Sequence, residues 1–139
     1  MTEAERERVF SAVRDGVLAA LPEALAIYVY GSVARGDELA TSDVDAAVLL
    51  PHGKRIDDPL ALTAAIAERV KREVDVVDLE DAGDVLRGEV LRDGVVVFAR
   101  DTNFLLSWET TALSRYVRHR EETRELLEEF SRTGIGYRR

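Results

Sequence analysis

Tyr30-Gly31-Ser32-Val33-Ala34-Arg35-Gly36, followed after Asp37 to Thr41 by Ser42-Asp43-Val44-Asp45, is the stretch around which the chain is arranged. It is preceded by Leu25-Ala26-Ile27-Tyr28-Val29-Tyr30 and runs on into Ala46-Ala47-Val48-Leu49-Leu50. Both flanks are short apolar runs of strand type. A small turn and two carboxylates spaced by one residue therefore lie between two buried strands.

Each residue type has a physical consequence. Side chains alternate along a strand, so Asp43 and Asp45 project to the same side with Cα atoms roughly 6 to 7 Å apart. Two carboxylates that close repel one another. A proton, a basic side chain or a hard divalent cation relieves the repulsion, and oxygen-only donors at this spacing suit magnesium. Gly31 lacks a Cβ, which lets a phosphate approach the backbone, and Ser32 adds a hydroxyl and a free N–H where a helical turn can begin. Phosphate at one end and metal at the other describe a nucleoside triphosphate site.

Taken singly these features are weak, because an apolar strand, a Gly-Ser turn and an Asp-rich loop often serve only as a loop and a helix cap. The combination is more specific. Hydrophobic-Gly-Ser, about ten residues, then Asp-hydrophobic-Asp resembles the nucleotidyltransferase superfamily that includes DNA polymerase β. Gly31-Ser32-x-x-Arg35-Gly36 with Ser42-Asp43-Val44-Asp45 is similar to its minimal nucleotidyltransferase, or MNT, proteins. Ala46 departs from that pattern, where the family carries a larger apolar residue, and this bears on packing rather than chemistry.

The resemblance implies an α/β domain with a mixed sheet of four to five strands flanked by helices. It also implies transfer of AMP from ATP to an acceptor hydroxyl with release of pyrophosphate, using one or two magnesium ions. By motif, Asp43 and Asp45 are the expected metal ligands, and Gly31, Ser32, Arg35, Gly36 and Ser42 the expected nucleotide-binding positions. The family's third carboxylate lies on a later strand. In Val74-Asp75-Val76-Val77-Asp78-Leu79 the motif match places it at Asp75, with Asp78 as the fallback. These two acids lie on opposite strand faces, so only one shares the metal face.

Length and composition bound the rest. The 139 residues are expected to form a single domain, 1–139, with a long C-terminal helix over about 102–130 and a flexible tail at 131–139. The absence of cysteine excludes a disulfide framework, and no apolar run approaches the length of a membrane span, so a cytoplasmic protein is expected. Net charge is −8, from 19 basic and 27 acidic residues, with no basic stripe ahead of the C-terminal part. That argues against holding nucleic acid along its phosphates.

Larger superfamily members carry an added acceptor domain, for which this length leaves no room. The resemblance then implies a partner from the HEPN group, a toxic ribonuclease whose tyrosine the MNT antitoxin adenylylates. Two alternatives stay open: an antitoxin that neutralises by complex formation alone, and a small-molecule nucleotidyltransferase of the aminoglycoside-modifying type acting as a homo-oligomer.

Elsewhere the pattern is regular. Thr2 and Glu5 form a capping box for a helix over 3–20, whose apolar positions Val9, Phe10, Val13, Val17 and Leu21 recur at helical spacing. Asp58-Pro59 starts a second helix bearing Leu60, Leu62, Ile66 and Val70. Residues 82–92 predict a short helix stopped by Gly94, and 95–98 a further strand. In the last helix Leu105, Trp108, Ala112, Tyr116, Val117, Leu126, Leu127 and Phe130 are expected to be core positions, with a docking surface as the alternative. His52 and His119 lack partners at metal-ligand spacing and are expected at the surface.

Overall fold

Four strands, β1 (Ala26–Tyr30), β2 (Val44–Leu49), β3 (Val74–Asp78) and β4 (Val95–Ala99), form one sheet in the order β3-β2-β1-β4 in the computed structural model, which describes residues 1–36 and 43–133. β1 runs antiparallel to β2 and to β4, and β2 runs parallel to β3. The sheet is mixed, as expected. Its two central strands are the continuous apolar runs, because a strand covered on both faces has no wet side to which polar residues could turn.

Helices supply the cover: α1 (Glu3–Ala20), α2 (Gly31–Arg35), α3 (Pro59–Val70), α4 (Gly83–Asp93) and α5 (Thr102–Thr133). On one face Ile27, Val29, Val44, Ala46 and Val48 pack with Val9, Val13 and Val17 of α1 and Leu62, Ile66 and Val70 of α3. On the other, Ala26, Tyr28, Ala47 and Leu49 pack with Val90 of α4 and Leu105 of α5. Fully burying one such Val, Leu or Ile stabilises the fold by about 1.5–3 kcal/mol, so these two layers dominate its stability. Ala46 belongs to the first layer and is fully buried there.

Local signals set the helix ends. Thr2 Oγ1 accepts from the Glu5 N–H at 3.1 Å while Glu5 accepts from the Thr2 N–H at 3.3 Å, which closes the capping box. Asp58 Oδ1 accepts from the Ala61 N–H at 3.0 Å, with Pro59 in the first turn. Leu60, however, is 84 % exposed. The buried stripe of α3 is Leu62, Ile66 and Val70, four residues apart, and a residue two positions before Leu62 points away from it.

The longest helix corrects a second expectation. Leu105 and Ala112 are buried, and Trp108 packs against the second layer while its Nε1 donates to Glu80 at 3.1 Å. Tyr116 lies so tightly on Gly88 of α4 that any Cβ there would overlap its ring. Val117, Leu126 and Leu127 are each at least half exposed and are not core residues. At 1.5 Å per residue the 32 residues of α5 extend about 48 Å, more than twice the span of a five-residue strand, so its later turns outrun the sheet.

α5 also runs on to Thr133, past the start of the expected tail. Ser42, the segment Asp37 to Thr41, the Phe130 side chain and residues 134–139 lie outside the described residues. His52 and His119 are exposed. No helix among the described residues is long and apolar enough to cross a membrane.

Candidate active site

The site is built where β1 gives way to α2. Tyr30 ends the strand in extended backbone, and Gly31 turns the chain with φ +76°, a left-handed conformation that favours glycine. The turn brings the backbone onto the next strand. An ideal Cβ placed on Gly31 would collide with the Asp45 carboxylate, so the missing side chain at 31 makes room for the acid at 45.

Sheet register assembles the rest. Asp45 is directly opposite Tyr30 on β1 and directly beside Asp75 on β3. Alternation puts Asp45 and Asp75 on the face shared by Ala47 and Val77, whereas Val74 and Val76 join the opposite layer. Asp43 lies exposed at the mouth of β2, two residues back. Asp78 is in register with Val48 on the other face, and its Oδ1 accepts from the Glu80 N–H at 3.0 Å, closing the turn after β3. The geometry thus separates the two acids of the third strand, placing Asp75 with Asp45 and giving Asp78 a local structural contact.

Electrostatics mark Asp45 as the stressed member. Burial, then the charges of Asp75 and Asp43, push its carboxyl above the usual carboxylate range, while Arg35 pulls it back. Tyr30 responds to the same field: burial and the nearby Asp45, Asp75 and Glu89 push its hydroxyl up to about 12. Burial also raises Asp78, partly offset by the Glu80 N–H.

α2 is held from both sides. Gly36 caps it at φ +81°, and Arg6 of α1 reaches across to donate to the Ala34 carbonyl at 2.9 Å while its guanidinium sits 5.4 Å from the centre of the Phe10 ring. Ser32 is partly exposed within the first turn. A small cavity of about 220 Å³ opens here, lined by Tyr30, Gly31, Arg35 and Asp45 and closed by Glu89, Arg92 and Asp93 from the last turn of α4. Those α4 residues carried no signal in the sequence, since only tertiary packing brings the helix to the turn. A larger groove of about 770 Å³ runs along α5 past Val117 and Leu127, and the carboxylates take no part in it.

Among the described residues no three His, Cys, Asp or Glu side chains are already gathered into a cation cage. The donor set nevertheless fits a hard divalent ion. It offers carboxylate oxygens only, and the charges of Asp75 and Asp43, which add to burial in raising Asp45, are what a bound cation offsets.

Comparison with known proteins places this fold among adenylyltransferase relatives. The chain is 29% identical over 94 residues to the protein adenylyltransferase MntA of Shewanella oneidensis, an alignment covering 68% of this chain and 65% of that protein. It therefore spans just under two thirds of the relative's length. A chain of a solved toxin-antitoxin complex with AMP-PNP shares the fold, with TM-score 0.75 and 23% identity, covering 88% of this chain and 98% of that one. So does a chain of the complex between tri-AMPylated Shewanella oneidensis HEPN toxin and MNT antitoxin, with TM-score 0.66 and 22% identity over 94% and 99%. Residues 16–103 match the family described as Polymerase beta, Nucleotidyltransferase. That segment includes all four strands, the Gly31 turn and the three carboxylates at 43, 45 and 75, and on it the chain belongs to the polymerase β nucleotidyltransferase family.

Proposed function

We propose that this protein is a magnesium-dependent protein adenylyltransferase, an antitoxin that moves AMP from ATP onto a tyrosine hydroxyl of a HEPN ribonuclease toxin. The observation that carries the reading is the juxtaposition of Asp45 with Asp75 in register and with Gly31 across the turn. The names of the similar proteins, an adenylyltransferase and an MNT antitoxin bound to an AMPylated HEPN toxin, support the acceptor class.

Asp43, Asp45 and Asp75 would hold the magnesium, which supplies neutralisation of the triphosphate and of the charge that develops in the transition state. Gly31 and Ser32 would present backbone N–H groups and a hydroxyl to the β and γ phosphates, with Arg35, Gly36 and Ser42 completing that end. Asp75, the more exposed of the paired acids, would take the proton of the acceptor hydroxyl. The acceptor oxygen bonds to the α phosphorus, the bond between the α phosphorus and its bridging oxygen breaks, and pyrophosphate leaves with the bond's electrons. Alignment of acceptor and α phosphate in one rigid site is the main source of rate.

The test is to incubate the protein with ATP, magnesium and a HEPN partner and to locate added AMP by mass spectrometry. AMP on a partner tyrosine, lost in Asp43→Asn, is the expected result. A tight complex with no added mass would replace the reading with neutralisation by binding, and transfer confined to an aminoglycoside would replace it with a small-molecule enzyme.

A further inference from the structure

We propose that the outer side of α5 pairs with α5 of a second copy of this chain, antiparallel and about a two-fold axis. The inference stands apart from the nucleotidyl-transfer reading, since it uses none of the carboxylates. It starts from the turns of α5 that outrun the sheet, where Leu113, Val117 and Leu127 are 46%, 52% and 56% exposed. Leu106, Leu113 and Leu127 fall on one seven-residue repeat, and Val117 lies one turn after Leu113 on the same side.

That spacing selects a helix as the occupant, because an apolar repeat of seven keeps one seam of an α-helix facing a helical partner. The seam is also concave. Tyr116, Val117 and Leu127 line a groove of about 770 Å³ with Val85 of α4, which is itself 52% exposed. Arg120 holds the remaining position of the repeat, with its guanidinium 5.9 Å from the centre of the Tyr116 ring, and a polar residue at one such position fixes the register of a helix pair.

Charge decides whose helix it is. Residues 115–120 hold three arginines, a histidine and no acid, whereas 121–129 hold five glutamates and one arginine. That arginine, Arg124, is already matched within the helix by Glu121 and Glu128, while among the described residues Arg118 and Glu122 form no ion pair. A partner of either sign would be repelled by one half of this stretch. A second copy turned end for end about an axis beside Glu121 is complementary to both halves, since it sets Arg115 to Arg120 of each chain along Glu122 to Glu129 of the other. The same operation brings Leu113 of one copy toward Leu127 of its partner, so the apolar and the charged patterns point to one arrangement.

The experiment is sedimentation of the full chain across a range of concentrations, with and without a HEPN partner. Wild type is expected to form a reversible dimer, and Val117→Glu with Leu127→Glu to weaken it about 30-fold or more while the chain stays folded by circular dichroism. Arg115→Glu with Arg118→Glu should weaken self-association about tenfold, as should Glu122→Arg with Glu125→Arg, and mixing these two chains should restore a dimer containing one of each. The sequence has no cysteine, so introduced ones report orientation: Leu113→Cys chains should form a disulfide with Leu127→Cys chains rather than with their own kind. A wild-type monomer at every concentration would overturn the proposal. So would a dimer indifferent to these changes, or one in which Leu113→Cys links to itself. A wild-type monomer that uses Val117 and Leu127 to bind the HEPN partner would overturn it too, by assigning the groove to that protein.

Discussion

The Asp45 carboxylate fills the space that a side chain on Gly31 would need. Two demands therefore converge on position 31, a positive φ and an empty Cβ, and only glycine meets both. Gly31→Ala is expected to destabilise the fold by about 2 kcal/mol, within the range for a non-glycine residue held in a left-handed conformation, and to abolish transfer. Adding Asp45→Ala removes the collision but not the backbone strain. Urea unfolding of the single and double variants should then show the second change costing less in the alanine background than alone, and strict additivity would mean the two residues do not meet.

Asp45 also links stability to pH. Its carboxyl titrates above the usual range because burial and the charges of Asp75 and Asp43 disfavour ionisation in the fold. A raised folded-state value means that the folded state binds the proton more tightly than the unfolded chain. This group's favourable contribution is therefore complete below the usual carboxylate range and is lost as pH rises through the raised value. Without divalent metal, Asp45→Asn should melt higher than wild type at pH 7, the difference shrinking as the pH falls toward 4. Magnesium should raise the wild-type melting temperature and leave the variant's unchanged. Identical melting curves in EDTA at pH 7 would show that the acid is not under strain.

What the sequence made legible is what neighbouring residues decide together. The Gly31 turn, the Asp-x-Asp spacing, the Thr2–Glu5 box and the Asp58-Pro59 start are all local, and local sterics and hydrogen bonds determined them in the fold. Strand alternation likewise sufficed to put Asp75 and Asp78 on opposite faces. Hidden from the sequence were contacts set by how far one element reaches past another. Val117 and Leu127 have helical spacing that suits a core, yet their burial depended on where the sheet stops. Glu89 and Arg92 enter the site because α4 leans on the Gly31 turn, a contact across nearly sixty residues that no spacing rule encodes.

The two acids of β3 provide the most direct test of the register. Asp75 stands beside Asp45, whereas Asp78 stands beside Val48 and accepts the Glu80 N–H. Asp75→Ala should lower the transfer rate by about 100-fold or more, equivalent to about 2.7 kcal/mol of barrier, with little change in melting temperature because the residue is exposed. Asp78→Ala removes one turn-closing hydrogen bond and should cost about 1 kcal/mol of stability while transfer persists. Rates and melts on the two purified variants decide the matter. A folded but inactive Asp78→Ala beside an active Asp75→Ala would mean that the catalytic face of β3 is the other one, and that the pairing of Asp45 with Asp75 does not form the metal site.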